Sequence, residues 1–192
     1  MADTAALQEN KRHGDRWFPF DIYPCTIPKD FPQVALHWQN SMELIFVKKG
    51  SGLVQVGLEP VTARAGDIFV LAPGMLHGLG QLPGETMEYE NIIFEVELLG
   101  GSSDLCYRRY LLPLQSGRLS LPSRLTPGHP CYDGALGCLR QLENVNRDRV
   151  LGYELQVKGL LLSLLSLLVA QSDALPPSEN VDTRRLKTIL QY

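Results

Sequence analysis

The sequence predicts a mainly β domain, closed as an antiparallel sandwich or small barrel, followed by an α-helical arm. Three observations lead there. From Phe18 to about Leu99, short β-prone runs are broken at close intervals by Gly and Pro, the pattern of antiparallel sandwiches and barrels. After Gly100-Gly101 the apolar period changes to helical spacing. Within the β-region, His37, Gln39 and Glu43 share parity, so on extended chain they point to one face.

Residues 1–16 are polar and charged, read as a flexible N-terminus and lack the apolar run of a signal peptide. Residues 17–125 form the β-unit, with runs at Val34–Gln39, Glu43–Lys48, Gly52–Val56, Asp67–Leu71 and Met87–Glu97. Gly50-Ser51-Gly52 and Gly57-Leu58-Glu59-Pro60 read as turns between these runs. Tyr107 to Leu125 fits either a further strand or an irregular arm.

Residues 126–175 read as helical. Leu136, Leu139, Leu142 and Val145 set a first helix between Cys131 and Asn146. A second begins near Val150, runs through Tyr153, Leu155, Val157 and the Leu-rich segment to Val169, and stops before Pro176-Pro177. It is apolar on more than one side and therefore buried on more than one side. Either its own barrel and the first helix cover it, or Leu155, Leu161, Leu162, Leu165 and Leu168 also form the seam of a homodimer. Residues 176–192 read as a linker and a helix start. An N-cap signal at Thr183 precedes the basic, amphipathic Arg184-Arg185-Leu186-Lys187-Thr188-Ile189-Leu190-Gln191-Tyr192. A helix that short is marginal alone, so it reads as the truncated opening of a further domain.

Composition excludes several function classes. At 192 residues, 44% hydrophobic and net charge −3, the chain can bury one real core, and its mild acidity without a basic stripe makes it a poor nucleic-acid binder as it stands. The apolar stretch from Gly159 to Ala170 is shorter than the about 20 residues a bilayer span needs. Four Cys without a CxxC pair read as reduced thiols of a cytoplasmic protein. There is no G-x-S-x-G, P-loop or dinucleotide fingerprint, and Pro130 between His129 and Cys131 favours a loop over an activated thiol.

Polar groups converging inside a barrel make either a ligand cup or a metal site. As a cup, His37, Gln39, Glu43 and His77 supply donors and acceptors, and Trp17, Tyr23 and Tyr89 supply flat walls. Trp38 has the opposite parity to His37 and packs outside. Asn91 shares a face with Tyr89 and Ile93 and is a second polar contact, unless that face is merely solvated. His77 has the simpler alternative of closing the turn after Pro73-Gly74.

Phe18-Pro19-Phe20-Asp21-Ile22-Tyr23, His37-Trp38-Gln39 with Glu43-Leu44-Ile45-Phe46-Val47, Gly50-Ser51-Gly52 and Ala65-Gly66-Asp67 through Pro73-Gly74 and His77 together resemble an AraC-family regulator. The Leu-rich segment from Gly152 to Leu162 continues the resemblance, and the basic tail is similar to the opening helix of that family's DNA-binding domain. The resemblance implies a cupin-type double-stranded β-helix or jelly-roll barrel that senses a small-molecule effector, a sugar or organic acid. It also implies a dimerising helical arm and a DNA-reading helix-turn-helix domain absent here. Metal-binding cupins present two His one residue apart, a carboxylate and a later His. That pattern maps onto His37, Gln39, Glu43 and His77, and Gln39 departs from it, because an amide oxygen is a far weaker transition-metal ligand than imidazole. The expectation is therefore no metal or other cofactor and no enzymatic activity. The rival is a metal-dependent cupin oxygenase or isomerase using His37, Glu43 and His77. A stand-alone sugar-binding cupin is a third reading, against which the basic helix at Thr183 argues.

Overall fold

The computed structural model describes residues 7–174. The expected linker and helix start over 176–192, including Thr183 and the basic run after it, lie outside the described residues. The barrel is built from β1 (Phe20–Ile27), β2 (Gln33–His37), β3 (Met42–Val56), β4 (Glu59–Arg64), β5 (Ile68–Leu71), β6 (His77–Gly80) and β7 (Met87–Phe94). All pairings are antiparallel, as the short Gly-broken runs require. A 3₁₀ turn (Val96–Leu99) and a π-type turn (Tyr107–Leu111) lead into α1 (Leu112–Gln115), β8 (Leu119–Ser120) and β9 (Arg124–Leu125). This resolves the ambiguous Tyr107–Leu125 stretch as helical turns followed by short strands, β9 pairing with β5. α2 (Tyr132–Asp148) and α3 (Tyr153–Val169) follow, and β10 (Asp173–Ala174) returns to β8.

One expectation is corrected at Gly50-Ser51-Gly52. It is not a turn: β3 is one 15-residue strand that belongs to both sheets. Its first half, Met42 to Phe46, pairs with β5 and β7, and its second half pairs with β4 and β6. The register against β7 shifts between Val47 and Lys49, and Gly50 takes φ +73° where a Cβ would stand 1.9 Å from the Thr86 carbonyl oxygen. Glycine here permits a bulge that swings the strand from one sheet into the other. Gly57-Leu58, by contrast, is the expected hairpin turn, with Val56 opposite Glu59.

Parity along the sheet β1-β7-β3-β5-β9 separates two cores. Met42, Leu44, Phe46, Ile68, Val70, Ile92 and Phe94 face outward and pack under α2 and α3. Ile45, Val47, Phe69, Leu71, Met87 and Tyr89 face into the barrel. With both faces covered, the first half of β3, from Met42 to Val47, reads as a nearly continuous apolar run rather than an alternating one. Glu43 is the exception in that run.

The helical hairpin buries Ala135, Leu139 and Leu142 from α2 and Val157, Leu161, Leu164, Leu165 and Leu168 from α3. Three of the five residues expected at a dimer seam, Leu161, Leu165 and Leu168, therefore face the protein's own core, because the outward side of the sheet is apolar and needs cover. Leu155 and Leu162 are exposed. Tyr132 Oη donates to the Gly66 carbonyl at 2.7 Å and Lys48 pairs with Glu143, fixing α2 to the barrel. Among the described residues no helix is long and apolar enough to cross a membrane.

Residues 7–16 differ from the loose segment expected. The Trp38 amide donates to the Leu7 carbonyl at 3.0 Å and the Glu9 amide donates to the Trp38 carbonyl at 2.9 Å, so this arm lies along the end of β2. His13, on the same arm, is buried.

Candidate ligand-binding cavity

Register brings the predicted polar residues together. His37 on β2 stands opposite His77 on β6, with ring centroids 4.2 Å apart. Glu43, on the inward parity of β3, is buried in the barrel with 2% of its surface exposed. Its carboxylate Oε2 accepts from His77 Nε2 at 3.1 Å and from the Gln39 side-chain amide. Asn91 on β7, in register with Ile45 and Tyr23, lines the space above this carboxylate, and its Oδ1 is buried without a hydrogen-bond partner.

The protons follow from the partners. The Met75 carbonyl, 2.8 Å from His77 Nδ1, can only accept, so Nδ1 carries a hydrogen. The Glu43 carboxylate facing Nε2 also only accepts, so the imidazole holds both protons and the pair is imidazolium–carboxylate. Burial alone pushes Glu43 up, but the hydrogen bond and charge of His77, with His37 and Asn91 behind them, leave its carboxyl below the usual range. Burial pushes His77 down, and the bond and charge of Glu43, with the Met75 carbonyl, outweigh it and raise the imidazole. His77 thus closes the turn after Pro73-Gly74 and answers the buried acid at once.

Above this pair opens a cavity of about 610 Å³, lined by His37, Glu43, Tyr23, Tyr89 and Asn91 as expected. Gln39 and His77 stand behind Glu43 and bond to it rather than lining the cavity. Trp17 does not take part. It sits in the loop before β1, 82% exposed, with its amide bonded to Asp15 and its ring beside Arg16. What the sequence reading missed is the arm. Leu7, Gln8, Glu9, Lys11 and His13 form one wall, completed by apolar groups such as Phe31, Leu36 and Leu79. The signal available was an Asp/Glu/Lys/His mixture with no apolar periodicity, which on its own describes a solvated tail.

His37, Glu43 and His77 could offer three metal ligands, their donor atoms lying within 4.8 Å of one another. Both Nδ1 atoms are held by backbone carbonyls, of Ala35 and Met75, as they are around many metals. The rest of the set does not fit. Gln39, at the place of a fourth ligand, donates its N–H to Glu43 and leaves only its unpartnered Oε1, an amide oxygen that is a far weaker transition-metal ligand than imidazole. The His77 nitrogen that a metal would need carries a proton bonded to the same acid. The arrangement is an acid–imidazole–amide network centred on Glu43 Oε2 at the base of an organic-sized cavity.

The chain is similar to known proteins of two kinds, a transcription regulator and cupin proteins. The chain is 23% identical over 190 residues to the uncharacterized HTH-type transcriptional regulator YdeC of Bacillus subtilis (strain 168), covering 97% of this chain and 64% of that protein. Among solved structures it is similar to a cupin 2 conserved barrel domain protein from Salinispora arenicola CNS-205 (19% identity, TM-score 0.36, 40% of this chain and 64% of that one). A cupin-like protein from Thermotoga maritima is also similar (22% identity, TM-score 0.37, 42% of this chain and 60% of that one). The family model described as the AraC-like ligand binding domain matches residues 23–165, from the first barrel strand through most of α3, and the chain belongs to that family.

Proposed function

We propose that this chain is the effector-sensing and dimerisation region of a bacterial, cytoplasmic transcription regulator. A small organic molecule binds in the barrel cavity and controls DNA binding by a helix-turn-helix domain that follows. The observation that supports this reading is an organic-sized cavity whose base is a buried acid held by His77 and Gln39 rather than a set of free metal donors. The family of the chain and the regulator to which it is similar support the remainder.

The cavity has a physical route to the helices. Tyr23 lines it and also lines a neighbouring polar cleft with Arg12, Asp15, Asn146, Arg149 and Tyr153. Phe18, just past the arm, meets the Tyr153 ring edge-on at 5.6 Å between centroids, at the first turn of α3. A ligand that presses on the arm therefore presses on the α2–α3 hairpin, which carries the exposed Leu155 and Leu162 as a dimer seam. Regulation requires that the ligand bind one arrangement better than the other, since equal affinity shifts nothing.

Isothermal titration of a panel of small amines, alcohols, sugars and organic acids tests the assignment. A binder whose heat disappears in Leu36→Trp, which fills the cavity, supports it if circular dichroism shows the fold retained. Binding indifferent to Leu36→Trp rejects this cavity.

A further inference from the structure

We propose that the cavity takes a largely apolar organic molecule with a polar group at one side, in preference to a sugar. This deepens the function proposed above, rests on the cavity being the effector site, and follows from where its lining is polar and where it is not.

The polar groups of the base gather on one sheet. Asn91 on β7 stands in register with Tyr23 on β1, and both line the cavity together with Glu43. Asn91 Oδ1 is buried without a hydrogen-bond partner. His13, 4% exposed, meets the Tyr23 hydroxyl through Nδ1 at 3.2 Å and leaves Nε2 buried and unpartnered. In either tautomer of the ring, a buried polar atom calls for a partner. Both unpartnered atoms therefore adjoin Tyr23 and mark one polar side. The other polar groups, Glu9, Lys11 and His37, are half-buried or exposed, with Glu9 Oε2 3.4 Å from His37 Nε2.

Apart from His37, the second sheet lines the cavity with apolar groups. Val34 on β2 stands in register with Leu79 on β6, and Phe31, Leu36 and, from the arm, Leu7 continue this wall. Phe31, Val34, Leu36 and Leu7 are only half-buried, so apolar surface is left for a ligand to cover. A ligand is selected by what it leaves unpaired. A sugar carries hydroxyls around its whole edge, and those turned to this wall give up water for no partner. A hydrocarbon skeleton gains on the same wall, while a polar group at its side meets Asn91 and His13.

The test is nitrogen-15 NMR titration of the full chain, which reads weak binding and the retention of the fold in one spectrum. The probes are 1-butanol and 1-hexanol, with sorbitol as the polyhydroxylated match of hexanol, and cyclohexylmethanol matched with glucose. Affinity is expected to rise about threefold to fourfold per methylene from butanol to hexanol. Cyclohexylmethanol and hexanol are expected to bind at least about tenfold tighter than glucose and sorbitol. Val34→Thr, which sets a hydroxyl on the wall, should weaken hexanol about threefold or more, and Phe31→Ser, just before β2, does so if Val34→Thr fails to fold. Affinity that does not grow with chain length, or glucose or sorbitol binding as tightly as its match and lost in Leu36→Trp, overturns the apolar assignment while leaving the cavity as the effector site. Alcohol binding indifferent to Leu36→Trp rejects the cavity itself. No binding by any of the five overturns both.

Discussion

Glu43 is one acid in an otherwise apolar run, and its neighbours determine what it can be. Glu43→Gln leaves the His77 imidazolium buried without a counter-charge, and His77→Gln leaves the carboxylate without its cation. Each is expected to cost about 3–5 kcal/mol in urea unfolding, and the double variant less than the sum of the two. Additive losses would show that the two groups do not act as a pair. A second acid, Glu90, behaves oppositely. Burial, then the hydrogen bond and charge of Glu143, raise it to about 7 despite Lys48. A raised folded value means its protonated form favours the fold. That contribution is whole below the ordinary carboxylate range and is lost as pH rises through about 7. Glu90→Gln should therefore raise Tm at pH 8 more than at pH 5, and an equal change at both would contradict the assignment. At this scale much was legible: parity and motif order gave His37, Gln39, Glu43 and His77 as one cluster. Trp17 was misread because an aromatic residue's type says nothing of which way a loop turns.

The change from strand to helix after Gly100-Gly101 was legible in the period of the apolar residues, and so were both helices. Their ends were less so. α3 starts at Tyr153 rather than near Val150 because Gly152 takes φ +85°, a conformation outside a right-handed helix. Gly50 misled for a related reason: glycine marks a bulge within a strand as readily as a turn between strands. Gly50→Ala places a methyl against the Thr86 carbonyl at a left-handed φ, and a loss of more than about 1 kcal/mol in unfolding free energy is expected. Stability unchanged would mean that β3 bends elsewhere. On α3, Leu161→Ala should cost about 2–5 kcal/mol, since Leu161 is fully buried between helix and sheet. Leu155→Ala, at a position 77% exposed, should leave the monomer's stability within about 0.5 kcal/mol and weaken self-association in sedimentation velocity. Unchanged association would remove Leu155 from the seam. The sequence could not separate these two leucines, because the helix is apolar on both its inner and outer sides.

In the whole molecule, three layers act together: the arm over the cavity, the barrel around Glu43, and the helical hairpin over the outer core. The barrel and hairpin were legible because periodicity reports burial. The arm was not, because its place depends on two backbone bonds to Trp38 that no local pattern encodes. Everything proposed for the function depends on Glu43 being answered by His77 and not by a metal ion, so that the space above the pair belongs to an exchangeable organic molecule. Inductively coupled plasma mass spectrometry of the chain, purified without chelator and without added metal, measures this directly. Substoichiometric iron, manganese and zinc, unchanged in His37→Ala and His77→Ala, is the predicted result. One tightly held metal ion per chain, lost in both variants, would contradict it.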